Sequence, residues 1–187
     1  MRPSAQLHAI RKFGRTFMDS FPDKIIRNTH GTVRININFS ANESGIAIAT
    51  MDGSGDMRKH LCGHVRIGFE PQTLIVEAIQ GHFGRKNNID QVNAVLGKPW
   101  ANYALELAEQ HARQCGLQRV KIASPRTNYW FNHPQVLKKV KDFEWEYAEV
   151  TDANEKEALQ RQILGFYAII AKKMGYKKQG DYYVKEL

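Results

Sequence analysis

The segment from Leu74 to Ser124 constrains the fold more than any other part of the chain. It opens with Leu74-Ile75-Val76-Glu77-Ala78-Ile79-Gln80, apolar on both alternating faces apart from Glu77 and Gln80. That pattern predicts a strand covered above and below, and it makes Glu77 the odd residue. A helix is predicted from about Pro99 to Cys115. Trp100, Tyr103, Ala104, Leu107, Ala108, His111 and Cys115 recur on one face at spacings of three and four, while Asn102, Glu106, Glu109, Gln110 and Arg113 fall opposite. One face therefore packs on a sheet and the other meets solvent. Pro99 suits the first helical turn, and Gly116 the position just past the last. A second strand, Arg119 to Ser124, completes a β-loop-α-β unit whose strands run parallel, because a helical crossover joins them.

In such a unit, the loop leading into the helix presents free backbone N–H groups and the positive end of the helix dipole, an arrangement that holds phosphates. Here the loop is Leu96-Gly97-Lys98-Pro99-Trp100-Ala101. As a bare pattern its residues suit an ordinary connection with a capping glycine better than a phosphate loop. An inserted element, residues 81–97, separates it from the Leu74 strand. It contains His82, Gly84, Arg85 and Lys86, then a short helix capped by Asn88 with Ile89, Val92 and Val95 inward. The basic tip reads as an anion contact or as a solvated loop.

Taken in order, Ser4 caps a helix to about Ser20, with Leu7, Ile10, Phe13 and Phe17 on one face. It reads as a packed first helix rather than an organelle-targeting one. Thr32 to Phe39 alternates as a half-buried strand and Ile46 to Met51 as another. The turn residues Asp52-Gly53-Ser54-Gly55-Asp56 join the latter to a strand from about Leu61 to Phe69 in an antiparallel hairpin. Beyond Ser124, Pro134 is expected to start a short basic helix through Lys141, and Glu144 to Val150 a strand. Thr151 or Asp152 caps a long helix, with Leu159, Ile163, Phe166, Ile170 and Met174 at a spacing near 3.6 and Gly175 at its end. Asp181 to Leu187 forms the last strand. There is no internal repeat or linker, so one α/β domain spanning 1–187 is expected, with a mixed, mostly antiparallel sheet and one splayed parallel pair flanked by helices.

No apolar run reaches the ~20 residues that span a bilayer. Cys62 and Cys115 are the only cysteines, which argues against a disulfide framework and points to a reducing, cytoplasmic setting. A net charge of +8 favours an anionic partner, although 142–157 is acidic. His60, Cys62 and His64 alternate and would share a strand face, yet no fourth ligand accompanies them, and no metal is expected. The 52–56 aspartates lack the glutamate that closes a calcium loop.

The order of elements, with the segments LGKPWANYALELAEQHARQCGLQRVKI and AKKMGYKKQGDYYVKEL, resembles the GNAT superfamily of N-acetyltransferases over roughly the last two thirds of the chain. The IQGHFG and LGKPW segments are also similar to the uncharacterised VirK-type family. The GNAT resemblance implies binding of acetyl-coenzyme A, or another acyl-coenzyme A, at the loop before the central helix. Leu96 stands there for the usual basic or amide residue, and Pro99, which has no N–H, for the usual glycine. The implied contacts are Gly97, Lys98, Trp100 and Ala101. The resemblance further implies Glu77 as base, with His82 as an alternative, and Tyr167 as acid, one turn before Ala171, the position where the family's tyrosine commonly stands. The implied function is acyl transfer to an unidentified amine. The competing expectation is a catalytically silent module that binds nucleic acid or another anionic partner through Arg11, Lys12, Arg15, Arg85, Lys86, Lys138 and Lys139.

Overall fold

The computed structural model of the chain describes residues 3–40, 43–51, 61–81, 86–141 and 144–187. Its first half runs α1 (Pro3–Asp19), β1 (Lys24–Asn28), β2 (Gly31–Ser40), β3 (Glu43–Thr50), β4 (Leu61–Glu70), β5 (Thr73–Gly81) and α2 (Lys86–Leu96). Then follow α3 (Trp100–Gln114), β6 (Arg119–Ala123), a 3-10 turn (Pro125–Thr127), α4 (Tyr129–Asn132), β7 (Gln135–Lys141), β8 (Glu144–Glu149), α5 (Ala153–Lys173), β9 (Lys177–Gln179) and β10 (Tyr182–Glu186). Eight strands form one sheet in the order β1-β2-β3-β4-β5-β6-β10-β9, and β7 and β8 pair separately. Within the large sheet only β5 and β6 are parallel. This is the mixed, mostly antiparallel α/β architecture that the periodicities predict, with the parallel pair where the crossover requires it.

The β5–α3–β6 unit sits in the core. Leu74 and Val76 on β5, Leu105 on α3, and Val120 and Ile122 on β6 are all sealed from solvent. α1 packs as a helix of this core. Phe13 and Phe17 meet the ring of Phe69 edge-on, with centroids 5.7 and 5.0 Å apart. On α3, His111 Nε2 lies 2.9 Å from the Phe17 carbonyl, which ties the two helices together. Gly63 of β4 and Gly81 of β5 are register partners. The Trp100 indole lies across the notch they leave, where a Cβ on Gly63 would come 2.6 Å from the ring.

Two expectations are corrected. Residues 134–141 are not a helix: Gln135–Lys141 is strand β7, paired antiparallel with β8, with Leu137 opposite Tyr147 and Lys138 opposite Glu146. A helix there would leave the backbone of β8 without a ladder, and pairing outweighs local propensity. Glu109, assigned to the solvent face of α3, is 4% exposed. It accepts from the Tyr176 hydroxyl at 2.8 Å and from Lys185 Nζ at 2.6 Å, with Arg113 at 3.9 Å. Burial, and then the adjacent Glu109 charge, push the Tyr176 phenol far above its ordinary pKa and keep it a neutral donor. β1 and β9, the strands at the two sheet edges, complete the sheet beyond the strands that the alternation marks.

Candidate functional site

The candidate site lies where β5 and β6 part. Their parallel ladder runs from Thr73 opposite Arg119 to Val76 opposite Ile122 and ends there, while β5 continues to Gly81. At the same point the β4–β5 register slips. Arg66 faces Ala78 and Ile67 faces Val76, so Glu77 is the extra residue of a β-bulge. Bulges re-aim side chains and cluster beside active sites. Gly68 makes room for this one, because a Cβ there would fall on the Glu77 carboxylate.

Beyond Val76, side chains rather than a strand satisfy the open edge of β5. Asn128 Nδ2 donates to the Glu77 carbonyl at 2.9 Å. The Ile79 N–H donates to the Tyr167 hydroxyl at 2.7 Å, and that hydroxyl lies 3.4 Å from the Ile79 carbonyl. Arg66 closes the arrangement: its Nε is 3.0 Å from Glu77 Oε2, and its Nη2 donates to Asn128 Oδ1 at 3.0 Å. The Glu77 side chain remains 44% exposed despite this pairing, so its carboxylate is within reach of a solute. Tyr167 is 4% exposed. Burial pushes its phenol above the ordinary tyrosine pKa, partly offset by the Ile79 hydrogen bond and the Arg66 charge, so it keeps its proton at neutral pH.

Two of the residues expected at the site, Glu77 and Tyr167, thus meet along one edge of β5, two strand positions apart. His82, Gly84 and Arg85 lie outside the described residues, as do the 52–56 turn and His60.

The expected phosphate loop leads into α3, whose first residue, Trp100, lays its ring over Gly63 of β4 and Gly81 at the end of β5. Its donors are partly committed. Gly97 takes a left-handed turn at φ 67°, a conformation that favours glycine. Lys98 Nζ is paired with both Glu106 oxygens, at 2.8 and 3.1 Å, and lies 5.9 Å from the Tyr103 ring centroid. Pro99 has no N–H, and the Trp100 N–H donates to Asn93 Oδ1 at 2.7 Å, so α2 caps α3. The N–H groups of Ala101 and Asn102 have no hydrogen-bond partner among the described residues. An anion at this helix start would find those two amides and the helix dipole.

Arg66, Asn128 and Asn93 belong to this arrangement and were not singled out from the sequence. Arg66 carried a signal, a charge flanked by Val65 and Ile67 in a strand. Asn128 and Asn93 carried none, since an asparagine in a loop or on a helix face is ordinary. Among the described residues no group of three histidine, cysteine or acidic side chains could hold a metal. Cys62 is buried and His64 half-buried. No helix among the described residues is long and apolar enough to cross a membrane. No protein-family model matches the chain, and no curated protein sequence matches it.

Proposed function

We propose that the protein is an N-acyltransferase that moves an acyl group from acyl-coenzyme A to an amine. The observation that carries this reading is the bulge that places a half-exposed carboxylate, Glu77, where β5 and β6 part, two residues before Ile79, whose backbone binds the protonated phenol of Tyr167. The 96–101 loop leads from α2 into α3, and the Ala101 and Asn102 amides at the helix start, unpartnered among the described residues, suit the anionic part of the donor. Coenzyme A supplies the activated thioester. Glu77 takes a proton from the attacking amine nitrogen, directly or through one water, and Arg66 and Asn128 hold its carboxylate and backbone in place. The Tyr167 hydroxyl, protonated and bonded to the Ile79 backbone, is assigned as the acid for the departing sulfur, a role that requires it to leave the Ile79 carbonyl. Trp100 packs the floor, and Lys98, exposed and paired with Glu106, adds a screened positive charge near the loop.

Isothermal titration calorimetry with acetyl-coenzyme A tests this. Binding should be measurable and weakened by salt. Pro99→Gly, which adds an N–H at the loop, should tighten it by up to about 1.5 to 3 kcal/mol, the worth of a charge-assisted hydrogen bond. If neither protein gives heat with millimolar ligand, the opening is not a coenzyme A site.

A second reading is favoured by α1, where Arg11, Lys12 and Arg15 are exposed at helical spacing and carry no ion pair among the described residues. That surface suits a catalytically silent module that binds nucleic acid. Affinity for an oligonucleotide that falls steeply with salt and is lost in Arg11→Glu/Arg15→Glu, together with no response to coenzyme A, would select it.

A further inference from the structure

The second half of α5 presents a surface that acyl transfer does not use. Tyr167, Ile170 and Ala171 face the core, while Phe166 and Ile169 are 40% and 57% exposed. At helical spacing, Phe166, Ile169, Lys172 and Lys173 share one outward face, apolar first and cationic at the end. The turn that follows is closed by the Tyr176 N–H to the Ala171 carbonyl at 2.9 Å, and it leads directly into edge strand β9 with Lys177 and Lys178. All four lysines are exposed, and none has a carboxylate partner among the described residues.

Lysines at a helix end and on an edge strand have ordinary uses: they complement the dipole and deter strand pairing. Neither use accounts for the exposed Phe166 and Ile169 beside them. Of these two, Ile169 is the more exposed. It has no π-face on which a base could stack, so a phosphate backbone leaves it unused. An apolar strip bordered by cations matches the boundary of an anionic bilayer, where apolar side chains enter the acyl region and ammonium groups meet lipid phosphates.

We propose that the α5 C-terminal face, with Phe166 and Ile169 as the apolar contact and Lys172, Lys173, Lys177 and Lys178 as the charged one, docks the protein reversibly on an anionic lipid surface. The helix lies on the membrane rather than crossing it. This surface shares no residue with the Glu77 site and stands whether or not that site binds coenzyme A.

Vesicle sedimentation with the full chain tests the proposal. Vesicles of phosphatidylcholine alone are compared with vesicles of phosphatidylcholine and phosphatidylserine, at low and high salt. The protein should sediment with the anionic vesicles only, and less at high salt. Lys172→Glu/Lys173→Glu should weaken binding by more than the ~fivefold worth of each lysine. Ile169→Ser should weaken it about tenfold with the salt dependence unchanged. These positions are exposed, so circular dichroism should show both variants folded. Three outcomes overturn the proposal. One is an absence of anionic-vesicle binding. Another is binding that Ile169→Ser leaves at full strength, especially with an oligonucleotide competing for the lysines, because the face is then a phosphate binder without membrane insertion. The third is a dimer in solution that Ile169→Ser dissociates, because a second copy then covers the face.

Discussion

Glu109 and Glu77 belong to the same β5–α3–β6 unit, and each sits beside a basic side chain and close to a buried tyrosine. Around Glu109 every polar atom is closed in: Tyr176 and Lys185 take its two oxygens, and its side chain is 5% exposed. Around Glu77, Arg66 pairs with the carboxylate and Asn128 binds the backbone carbonyl, and the side chain remains 44% exposed at the end of a strand ladder. A carboxylate so enclosed is an element of structure, because removing it orphans the buried Tyr176 hydroxyl and unpairs the partly exposed Lys185 ammonium. One left half-open at a bulge is within reach of a solute. The difference lies in how completely the surroundings close, since both glutamates have cationic partners.

Substitutions can break or sharpen that contrast. The largest stability change belongs to Glu109→Ala, which leaves Lys185 and the Tyr176 hydroxyl without their shared acceptor. It should destabilise the protein by about 2 to 4 kcal/mol in denaturant unfolding, since two hydrogen bonds to a charged group are lost together. A loss under 1 kcal/mol would mean that the network is not part of the folded core's energetics. Tyr167→Phe comes next, at about 1 to 3 kcal/mol, because it orphans the buried Ile79 N–H while preserving the ring. If Tyr167→Phe unfolds at the wild-type midpoint, water replaces the hydroxyl and the β5 edge is wetter than it looks.

Glu77→Gln should cost less than about 1 kcal/mol of stability, the range of an exposed pair. It should abolish amine acylation while leaving coenzyme A affinity nearly intact, since shape is kept and the proton acceptor is lost. Turnover at the wild-type rate in Glu77→Gln would reassign the residue to the same structural class as Glu109. The smallest change is expected of Lys98→Ala, a few tenths of a kcal/mol in stability, because its pair with Glu106 is exposed and screened. Any loss of coenzyme A affinity in that variant should shrink as salt is raised. A loss that persists at high salt would indicate that Lys98 leaves Glu106 to touch the ligand.

The order of strands and helices around Leu74 to Ser124 was legible in the sequence, because apolar spacing, Pro99 and Gly116 act within a few residues of chain. The same local logic found the capped long helix: Asp152 Oδ1 accepts from the Glu155 N–H at 2.8 Å. It failed at 134–141, where the deciding interaction is a ladder to residues 144–149, and at Glu109, whose partners lie 67 and 76 residues away.

For the site, the sequence by itself set Glu77 apart as a charge within an apolar strand, and the family resemblance drew attention to Tyr167. Only the tertiary structure decided that they share an edge, that Arg66 and Asn128 secure it, and that Asn93 occupies an amide of the expected phosphate loop. The reason is physical. Periodicity reports which face a residue lies on, whereas a bulge, a ladder that stops at Val76 and a cap donated from another helix are fixed by contacts between distant segments. Those contacts form only when all the backbone groups of the sheet must be satisfied at once.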